Sequence, residues 1–332
     1  MRIAIDARML YWTGVGRYTH ALLARLEQLD RTNQYLVIMR PADRARWSPS
    51  APNFEVIEAD INPYTFGEQL QLTALLRRLR PDLVHFMAIN SPILYHGRFI
   101  VTIHDLTLID QDTSRGRGIG RLLRRAKQIP FRLVAWRQAR AAIRVLTPTQ
   151  YVKDQLASRY RLDPDRISVT PEAADMPLAA PEPLDRFNIG GPFLLYVGTA
   201  YPYKNVGVVI RALAQLKTHP ALRLIITSKP DYFRDLLQAE ARRVGVTDRV
   251  IFTGFVTDGE LVSLYRATAA YVYPSLSEGF GLQGLEAMTQ GTPVLAARAS
   301  CLPEVCGEAA EYFDPHNAND LAAKIELLLG SP

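Results

Sequence analysis

The sequence predicts an α/β protein made of two doubly wound domains, and two features of the chain predict it. Short apolar runs suited to buried parallel strands alternate with amphipathic helical stretches along most of the chain. The alternation is interrupted at residues 177–192, which are rich in Pro, Ala and Gly and have the weak periodicity of a linker. The 332 residues suffice for two domains, which we expect at residues 1–180 and 181–332.

Each domain is predicted from its own series of apolar runs. In the first, the predicted strands are Arg2–Asp6, Tyr35–Met39, Phe54–Glu58, Leu83–Phe86, Phe99–His104, Ala142–Leu146 and Ile167–Thr170. Helices are expected between these strands, for example over Val15–Leu29 and Glu68–Arg80. In the second, the predicted strands are Phe193–Val197, Leu222–Thr227, Val250–Phe255, Ala269–Tyr273 and Pro293–Ala296, each followed by a helix.

The sequence argues against a membrane-spanning protein and against a secreted one. The chain is 48% hydrophobic and 22% charged, which is ordinary for a soluble globular protein, and no apolar run reaches about 18 residues. Its N-terminus is typical of a strand with an early acidic residue and not of a signal peptide. Cys301 and Cys306 have neither metal-ligand nor redox spacing, so we expect buried or free thiols and a cytoplasmic protein.

The strongest indication of a site follows the strand Ala269–Tyr273. A loop with two glycines leads into a helical run, with Glu278 in the loop and Glu286 one to two turns into the helix. Open α/β sheets bind ligands at the carboxyl ends of their strands, and carboxylates accept hydrogen bonds from sugar hydroxyls. Glycines let backbone N–H groups approach a ligand at a helix N-terminus. The ligand-binding residues predicted here are Glu278, Gly279, Phe280, Gly281, Leu282 and Glu286.

A second junction of the same design follows Phe193–Val197. The loop that begins at Gly198 contains Thr199 and leads to Lys204 and Asn205, where a helix is expected to begin. A lysine at a helix N-terminus opposes the helix dipole, and an anionic ligand would remove that conflict. A solvated lysine is the alternative interpretation.

These residues resemble a known enzyme family. Glu278 and Glu286, in the context Glu-Gly-Phe-Gly-Leu, resemble the glutamate–seven residues–glutamate signature of the family 4 retaining glycosyltransferases. The resemblance implies the GT-B fold, in which two Rossmann-like domains face each other across a cleft. It also implies a nucleoside-diphosphate sugar as the donor substrate, with no cofactor and no metal. The sequence departs from the family by having Tyr203 where an arginine is common and Gln283-Gly284 where a proline is common.

The family's functional residues transfer to matching positions of this chain. The implied catalytic residues are His104, Glu278 and Lys204, with Lys204 on the donor diphosphate and His104 on a donor-sugar hydroxyl. Glu286 is expected to bind the ribose hydroxyls, and Glu278 the donor sugar. The implied donor-binding residues elsewhere are Gly14, Val15, Gly16, Arg17, Thr199, Asn205, Gly254, Phe255 and Val256. Asp105 and Tyr18 are assigned to the acceptor side. Without the resemblance, a turn explains the glycines at 14 and 16 equally well.

The resemblance extends to the bacterial mannosyltransferases of O-antigen and exopolysaccharide assembly. It favours GDP-mannose as donor and a glycan or polyprenyl-linked glycan as acceptor. A UDP-hexose or UDP-N-acetylhexosamine transferase, a GT-B sugar-nucleotide epimerase and a catalytically silent nucleotide-binding scaffold are the alternatives. Family members usually continue beyond the helix at Ala318–Leu329 with a helix that crosses back onto the first domain, so that helix is expected to be absent here.

The positive charge of the chain is concentrated in one segment. Residues 113–153 contain eleven Lys and Arg and no Asp or Glu, whereas the rest of the chain has 28 basic and 33 acidic residues. Within residues 115–144 the cationic residues are Arg115, Arg117, Arg121, Arg124, Arg125, Lys127, Arg132, Arg137, Arg140 and Arg144. Because apolar residues are interleaved with them, the segment predicts peripheral binding to an anionic membrane. A solvated cationic helix face is the alternative. No nucleic-acid motif is present in the segment, and we expect no nucleic-acid partner.

Overall fold

A seven-stranded parallel sheet forms the framework of the N-terminal half. Its strands are β1 (Arg2–Asp6), β2 (Gln34–Met39), β3 (Phe54–Glu58), β4 (Leu83–Phe86), β5 (Phe99–Thr102), β6 (Arg144–Thr147) and β7 (Ile167–Val169). Their order across the sheet is β3-β2-β1-β4-β5-β6-β7, with every neighbouring pair parallel. The strand order reverses between β1 and β4, and the carboxyl ends of two such strands border the usual ligand-binding crevice of α/β proteins.

Helices cover both faces of this sheet. They are α1 (Gly14–Leu29), α2 (Pro41–Arg44), α3 (Phe66–Leu79), α4 (Ile119–Ala141) and α5 (Gln150–Tyr160). Alternate strand residues belong to different clusters, since Ala4 and Leu36 lie in one core and Ile5 and Val37 in the other. Burial on both faces explains why the strands are continuous apolar runs in the sequence.

The C-terminal half repeats this design with six strands. They are β8 (Phe193–Val197), β9 (Arg223–Thr227), β10 (Val250–Phe252), β11 (Ala270–Tyr273), β12 (Val294–Ala297) and β13 (Ala310–Phe313). The order is β10-β9-β8-β11-β12-β13, all parallel, and it reverses between β8 and β11. The helices are α6 (Val206–Gln215), α7 (Tyr232–Arg243), α8 (Asp258–Ala267), α9 (Leu282–Thr289), α10 (Leu302–Cys306) and α11 (Ala318–Gly330).

The structure, a computed structural model, describes residues 1–12, 14–107, 119–174 and 179–330, without the side chains of residues 119–128 and 130. The described residues up to 172 form one compact unit, and those from 173 onward form a second. The two doubly wound α/β sheets predicted from the sequence are confirmed. The domain boundary at residues 180 and 181 stays a prediction.

Three elements differ from the sequence prediction. Strand β5 ends at Thr102, so His104 lies in the loop beyond it. Strand β13 was not predicted, because Glu311 interrupts its apolar pattern at the edge of the sheet. The described part of the predicted linker is packed onto the second unit, where Phe187 is buried and Arg186 pairs with Glu260.

Candidate active site

Lys204 and Glu278 come together at the point where the second sheet reverses its strand order. Lys204 follows β8 and Glu278 follows β11, and Lys204 Nζ lies 2.6 Å from Glu278 Oε1. Both side chains are largely buried, with 15% and 12% of their surface exposed. The sequence predicted both residues independently, but it did not predict that they form an ion pair with each other.

Backbone geometry fixes this pair. Lys204 ends a short 3₁₀ helix, Pro202–Lys204, and does not begin α6 as the sequence predicted. Asn205 takes a left-handed conformation with φ of 54°, and its side-chain amide donates to the carbonyl of Pro315 at 2.8 Å. The N–H of Leu276 donates to the carbonyl of Tyr203, which joins the loop after β8 to the loop after β11. Thr199, also predicted to bind the donor, is exposed in the loop after β8.

The loop after Glu278 is held by backbone contacts. The thiol of Cys301 lies 3.3 Å from the carbonyl oxygens of Glu278 and Phe280, and the N–H of Glu278 donates to Ser300. Gly281 precedes α9 with φ of 99°, a conformation that favours glycine. A Cβ at this position would lie 3.0 Å from the side chain of Leu302. Position 281 therefore favours glycine because of its backbone conformation and its close packing.

Glu286 lies inside α9 and is buried, with 3% of its surface exposed. The hydroxyl of Tyr265 donates to Glu286 Oε2 at 3.4 Å. Gly279 and Phe280 in the preceding loop are buried as well, and Leu282 begins the helix. The assignment of Glu286 to the ribose hydroxyls stays a prediction.

Three of the residues expected to bind the donor, Gly254, Phe255 and Val256, follow β10. Gly254 has φ of 76°, Phe255 is 70% exposed, and Val256 packs against the core of the second unit. Arg186 donates to the carbonyl of Phe255, and it also pairs with Glu260. Thr257 and Glu260 form a capping box at the start of α8.

In the first unit, the predicted glycine loop lies at the N-terminus of α1, which begins at Gly14. A Cβ at Gly16 would lie 2.5 Å from the carbonyl oxygen of Leu10, so packing alone requires a glycine there. Val15 is partly buried and Arg17 is exposed. The assignment of these residues to donor binding stays a prediction.

His104 is held by two acceptors. Its Nδ1 lies 2.8 Å from Glu172 Oε1, and its Nε2 lies 3.0 Å from the carbonyl oxygen of Met87. The ring of Tyr18 packs edge-on against the imidazole, with 4.8 Å between ring centroids. Burial disfavours the charged ring, but the hydrogen bond and charge of Glu172 outweigh it and raise the pKa of His104. Sequence reasoning missed Glu172, because 68 residues separate it from His104.

A cavity of about 70 Å³ opens beside His104 in the first unit. Three of its lining side chains, Tyr64, His104 and Asp105, are ionisable, and the others are aromatic or aliphatic. The lining residues are Val15, Tyr64, Ala88, Ile89, His104, Asp105 and Phe131. Asp105 accepts a hydrogen bond from the N–H of Thr107, which fixes its side chain at the wall. Its walls combine apolar surface with a few polar groups, which is the usual composition of a small-molecule site.

Sequence reasoning also missed a buried charged cluster behind this cavity. Arg8 is fully buried, and its guanidinium contacts Asp6 Oδ2 at 2.7 Å and Glu68 Oε1 at 2.6 Å. Glu68 also accepts from the side chain of Asn90 and from the N–H of Tyr64. Burial lowers the pKa of Arg8, but the two carboxylates outweigh it and raise the value. The sequence signal for this cluster was Asp6, the early acidic residue at the end of the first predicted strand.

Three further observations concern metal ligands, membrane-spanning helices and the cysteines. Among the described residues, no three His, Cys, Asp or Glu side chains come together as metal ligands, and independence from metals stays a prediction. None of the helices in the part of the chain that the structure describes is long and apolar enough to cross a bilayer. Cys301 and Cys306 are buried free thiols, as predicted.

Comparisons with known proteins agree with this arrangement. A family model for glycosyl transferases group 1 matches residues 185–332, and one for Glycosyltransferase Family 4 matches residues 12–176. The D-inositol 3-phosphate glycosyltransferase of Acidothermus cellulolyticus is 36% identical over 206 residues, which cover 57% of this chain and 46% of that protein. O-antigen chain mannosyltransferase B of Escherichia coli is 26% identical over 344 residues, with 94% of this chain and 86% of that protein covered.

A solved structure shares the fold. The HepE protein of Anabaena, solved in complex with UDP and glucose, has a TM-score of 0.71 and 19% sequence identity, with 100% of this chain and 90% of that chain covered. Together, the two family models match nearly the whole chain, including every residue of the candidate site. The chain belongs to the group 1 and family 4 glycosyltransferases, and its two parallel sheets have the GT-B fold.

Proposed function

We propose that this protein is a retaining glycosyltransferase that moves a hexose from a nucleoside-diphosphate sugar to a glycan or lipid-linked glycan. The observation that carries the proposal is the Lys204–Glu278 pair at the strand reversal of the second sheet. A cation and a carboxylate at the usual ligand-binding edge match the two halves of such a donor, which are an anionic diphosphate and a polyol.

Lys204 and Glu278 bind different parts of the donor. Lys204 exchanges part of its contact with Glu278 for the diphosphate oxygens, and Glu278 then accepts hydrogen bonds from sugar hydroxyls. Gly281 lies at the N-terminus of α9, where backbone N–H groups can donate hydrogen bonds to the negatively charged diphosphate. Glu286, deeper in the same helix, is assigned to the ribose. In the first unit, Asp105 at the cavity wall is assigned to the acceptor, and His104 beside it is assigned to a hydroxyl of the donor sugar.

The proposed reaction uses no carboxylate nucleophile. The bond from the acceptor hydroxyl oxygen to the anomeric carbon forms on the face from which the diphosphate leaves. The bond between that carbon and the diphosphate oxygen breaks, and the hydroxyl proton passes to the leaving diphosphate. Lys204 contributes by stabilising the negative charge that develops on this leaving group.

We propose GDP-mannose as the donor. The Escherichia coli relative that covers most of this chain is named as a mannosyltransferase, which supports mannose. A UDP-hexose is the second candidate, because the structural neighbour from Anabaena was solved with UDP and glucose. We propose that the loop after β10 contacts the nucleotide base through backbone groups, which are present in this loop for any base.

A thermal-shift panel tests the donor assignment. GDP, UDP, ADP and dTDP would each be added with and without their sugars, and we expect GDP-mannose to stabilise the protein most. A ligand at 100 times its dissociation constant adds about 2.7 kcal/mol to the free energy of unfolding. Glu286→Ala should abolish the shift, whereas Lys217→Ala, an exposed lysine of the second unit, should preserve it. Equal stabilisation by all four nucleotides would contradict the choice of GDP-mannose.

We also propose that α4 binds an anionic membrane surface peripherally. Ile129, Leu133 and Trp136, spaced four and three residues apart, are 65%, 53% and 43% exposed. Such spacing places them on one helix face. Exposed Arg132 and Arg140 accompany them, with Arg140 over the Trp136 ring at 5.3 Å. The predicted cations at 115 and 117, and the side chains of those at 121, 124, 125 and 127, lie outside the described residues.

Liposome flotation tests the membrane proposal. Binding should be stronger to vesicles with phosphatidylglycerol than to neutral vesicles, since each cation near an anionic surface contributes about 1 kcal/mol. The double variant Leu133→Ser and Trp136→Ser should weaken binding about tenfold, because it removes apolar area that would enter the interface. Leu236→Ser, at a residue 48% exposed in the second unit, is the matched control. Equal binding to neutral vesicles would contradict the electrostatic part of the proposal.

A further inference from the structure

The surroundings of His104 define its protonation. Nδ1 faces a carboxylate oxygen of Glu172, and Nε2 faces the carbonyl oxygen of Met87. Both facing atoms are hydrogen-bond acceptors, so each ring nitrogen needs a proton to donate. A neutral imidazole has only one N–H, and it would leave the other nitrogen lone pair against an oxygen.

We infer that Glu172 is a positioning residue that holds the imidazole of His104 with a proton on each ring nitrogen. The inference rests on the proposed function and goes beyond it by assigning a charge state and a second residue to the first unit. Glu172 is 9% exposed and follows β7, whereas His104 follows β5, so two different strands bring the pair together.

The charged ring has a defined use in the proposed reaction. With Nδ1–H held by Glu172, the Nε2–H can exchange the Met87 carbonyl for a hydroxyl oxygen of a sugar without losing its proton. His104 is therefore a fixed hydrogen-bond donor, and it does not act as a general base. A donor with a positive charge makes a stronger hydrogen bond than a neutral imidazole.

The other ionisable groups around the ring do not replace Glu172. Asp105, next in the chain, is at the cavity wall and also favours the charged ring. Tyr18 of α1 contacts Thr102, and burial raises its pKa, so it is neutral. His85 of β4 bonds the same Thr102 hydroxyl, and burial lowers its pKa to about 4. His85 is thus a neutral histidine close to a charged one.

Nitrogen-15 NMR of the ring nitrogens, recorded on the full chain without donor, tests the charge state directly. At pH 7 we expect the two His104 nitrogens to have the near-equal shifts of an imidazolium, while His85 shows the widely separated shifts of a neutral ring. His104→Gln assigns the signal. A neutral pattern for His104 at pH 7 would overturn the inference.

Glu172→Gln keeps the size of the side chain and its acceptor oxygen but removes the charge. We expect its His104 to titrate at lower pH than in the unmodified protein. Glu55→Gln, at an exposed position of β3, is the matched control and should leave the titration unchanged. An identical His104 titration in Glu172→Gln and the unmodified protein would refute the role of Glu172.

Transfer activity supplies the kinetic readout. Because the proposed donor is the charged ring, kcat/KM should fall as pH rises through the His104 pKa, which lies above its ordinary value. In Glu172→Gln this fall should begin at lower pH, with about a fivefold to tenfold loss where only the variant has lost its proton. A shifted titration with an unshifted pH profile would exclude a role in transfer. Absence of transfer by the unmodified protein would contradict the proposed function, whereas the NMR result would still decide the Glu172–His104 pair.

Discussion

Replacing Lys204 with alanine is expected to reduce kcat/KM for sugar transfer by about 10²- to 10³-fold, the usual effect of removing a group that stabilises developing negative charge. We expect the loss to be large because Tyr203, the residue before Lys204, carries no positive charge that could replace it. Steady-state kinetics with GDP-mannose, measured by release of GDP, would give the value. Lys217→Ala should retain full activity.

A second variant separates two causes of this loss. Lys204→Ala leaves Glu278 largely buried without its ammonium partner, which lies 2.6 Å away in the intact protein. The double variant Lys204→Met and Glu278→Gln removes both charges and therefore avoids a stranded carboxylate. The single variant Glu278→Gln gives the loss caused by removing the proposed sugar-binding carboxylate alone. If activity returned in the double variant, a stranded charge and not diphosphate binding would explain the loss, and the assignment of Lys204 would be wrong.

Replacing Arg8 with alanine is expected to destabilise the first unit by about 3–5 kcal/mol, because it leaves the buried carboxylates of Asp6 and Glu68 uncompensated. Arg8→Lys should restore only part of this energy, since an ammonium cannot reproduce the paired contacts of a guanidinium with Asp6. Urea unfolding would measure the change. Tryptophan fluorescence reports this unit selectively, because Trp12, Trp47 and Trp136 all belong to it.

Arg44→Ala provides the control for this measurement. Arg44 lies 3.9 Å from Glu58, and the two side chains are 41% and 53% exposed. Exposed pairs of this kind contribute about 0–1 kcal/mol, so the midpoint of unfolding should change little. Equal effects of Arg8→Ala and Arg44→Ala would contradict the buried cluster as a main source of stability.

The Arg8 cluster also bears on the cavity beside His104. Glu68 binds both Arg8 and the N–H of Tyr64, a residue with φ of 60° whose ring lines the cavity. A left-handed conformation at a tyrosine is unfavourable and persists only when its surroundings enforce it. Loss of Arg8 is thus expected to loosen the cavity wall as well as the core.

The sequence alone determined the two α/β sheets, the family and the residues at the ends of β8 and β11. Apolar runs, glycine positions and the spacing between Glu278 and Glu286 are local properties of the chain, and local properties can be read directly. Strand β13 was not predicted, because Glu311 breaks its apolar pattern. Its pairing with β12 identifies it as a strand.

The tertiary structure determined which charged side chains contact each other. Lys204 and Glu278 are 74 residues apart, Arg8 and Glu68 are 60 apart, and His104 and Glu172 are 68 apart. No periodicity links residues at such separations, because parallel strands bring distant loops to one edge of a sheet. The sequence therefore identified most of the chemical groups of the candidate site, whereas the strand order determined their partners and, through those partners, their charge.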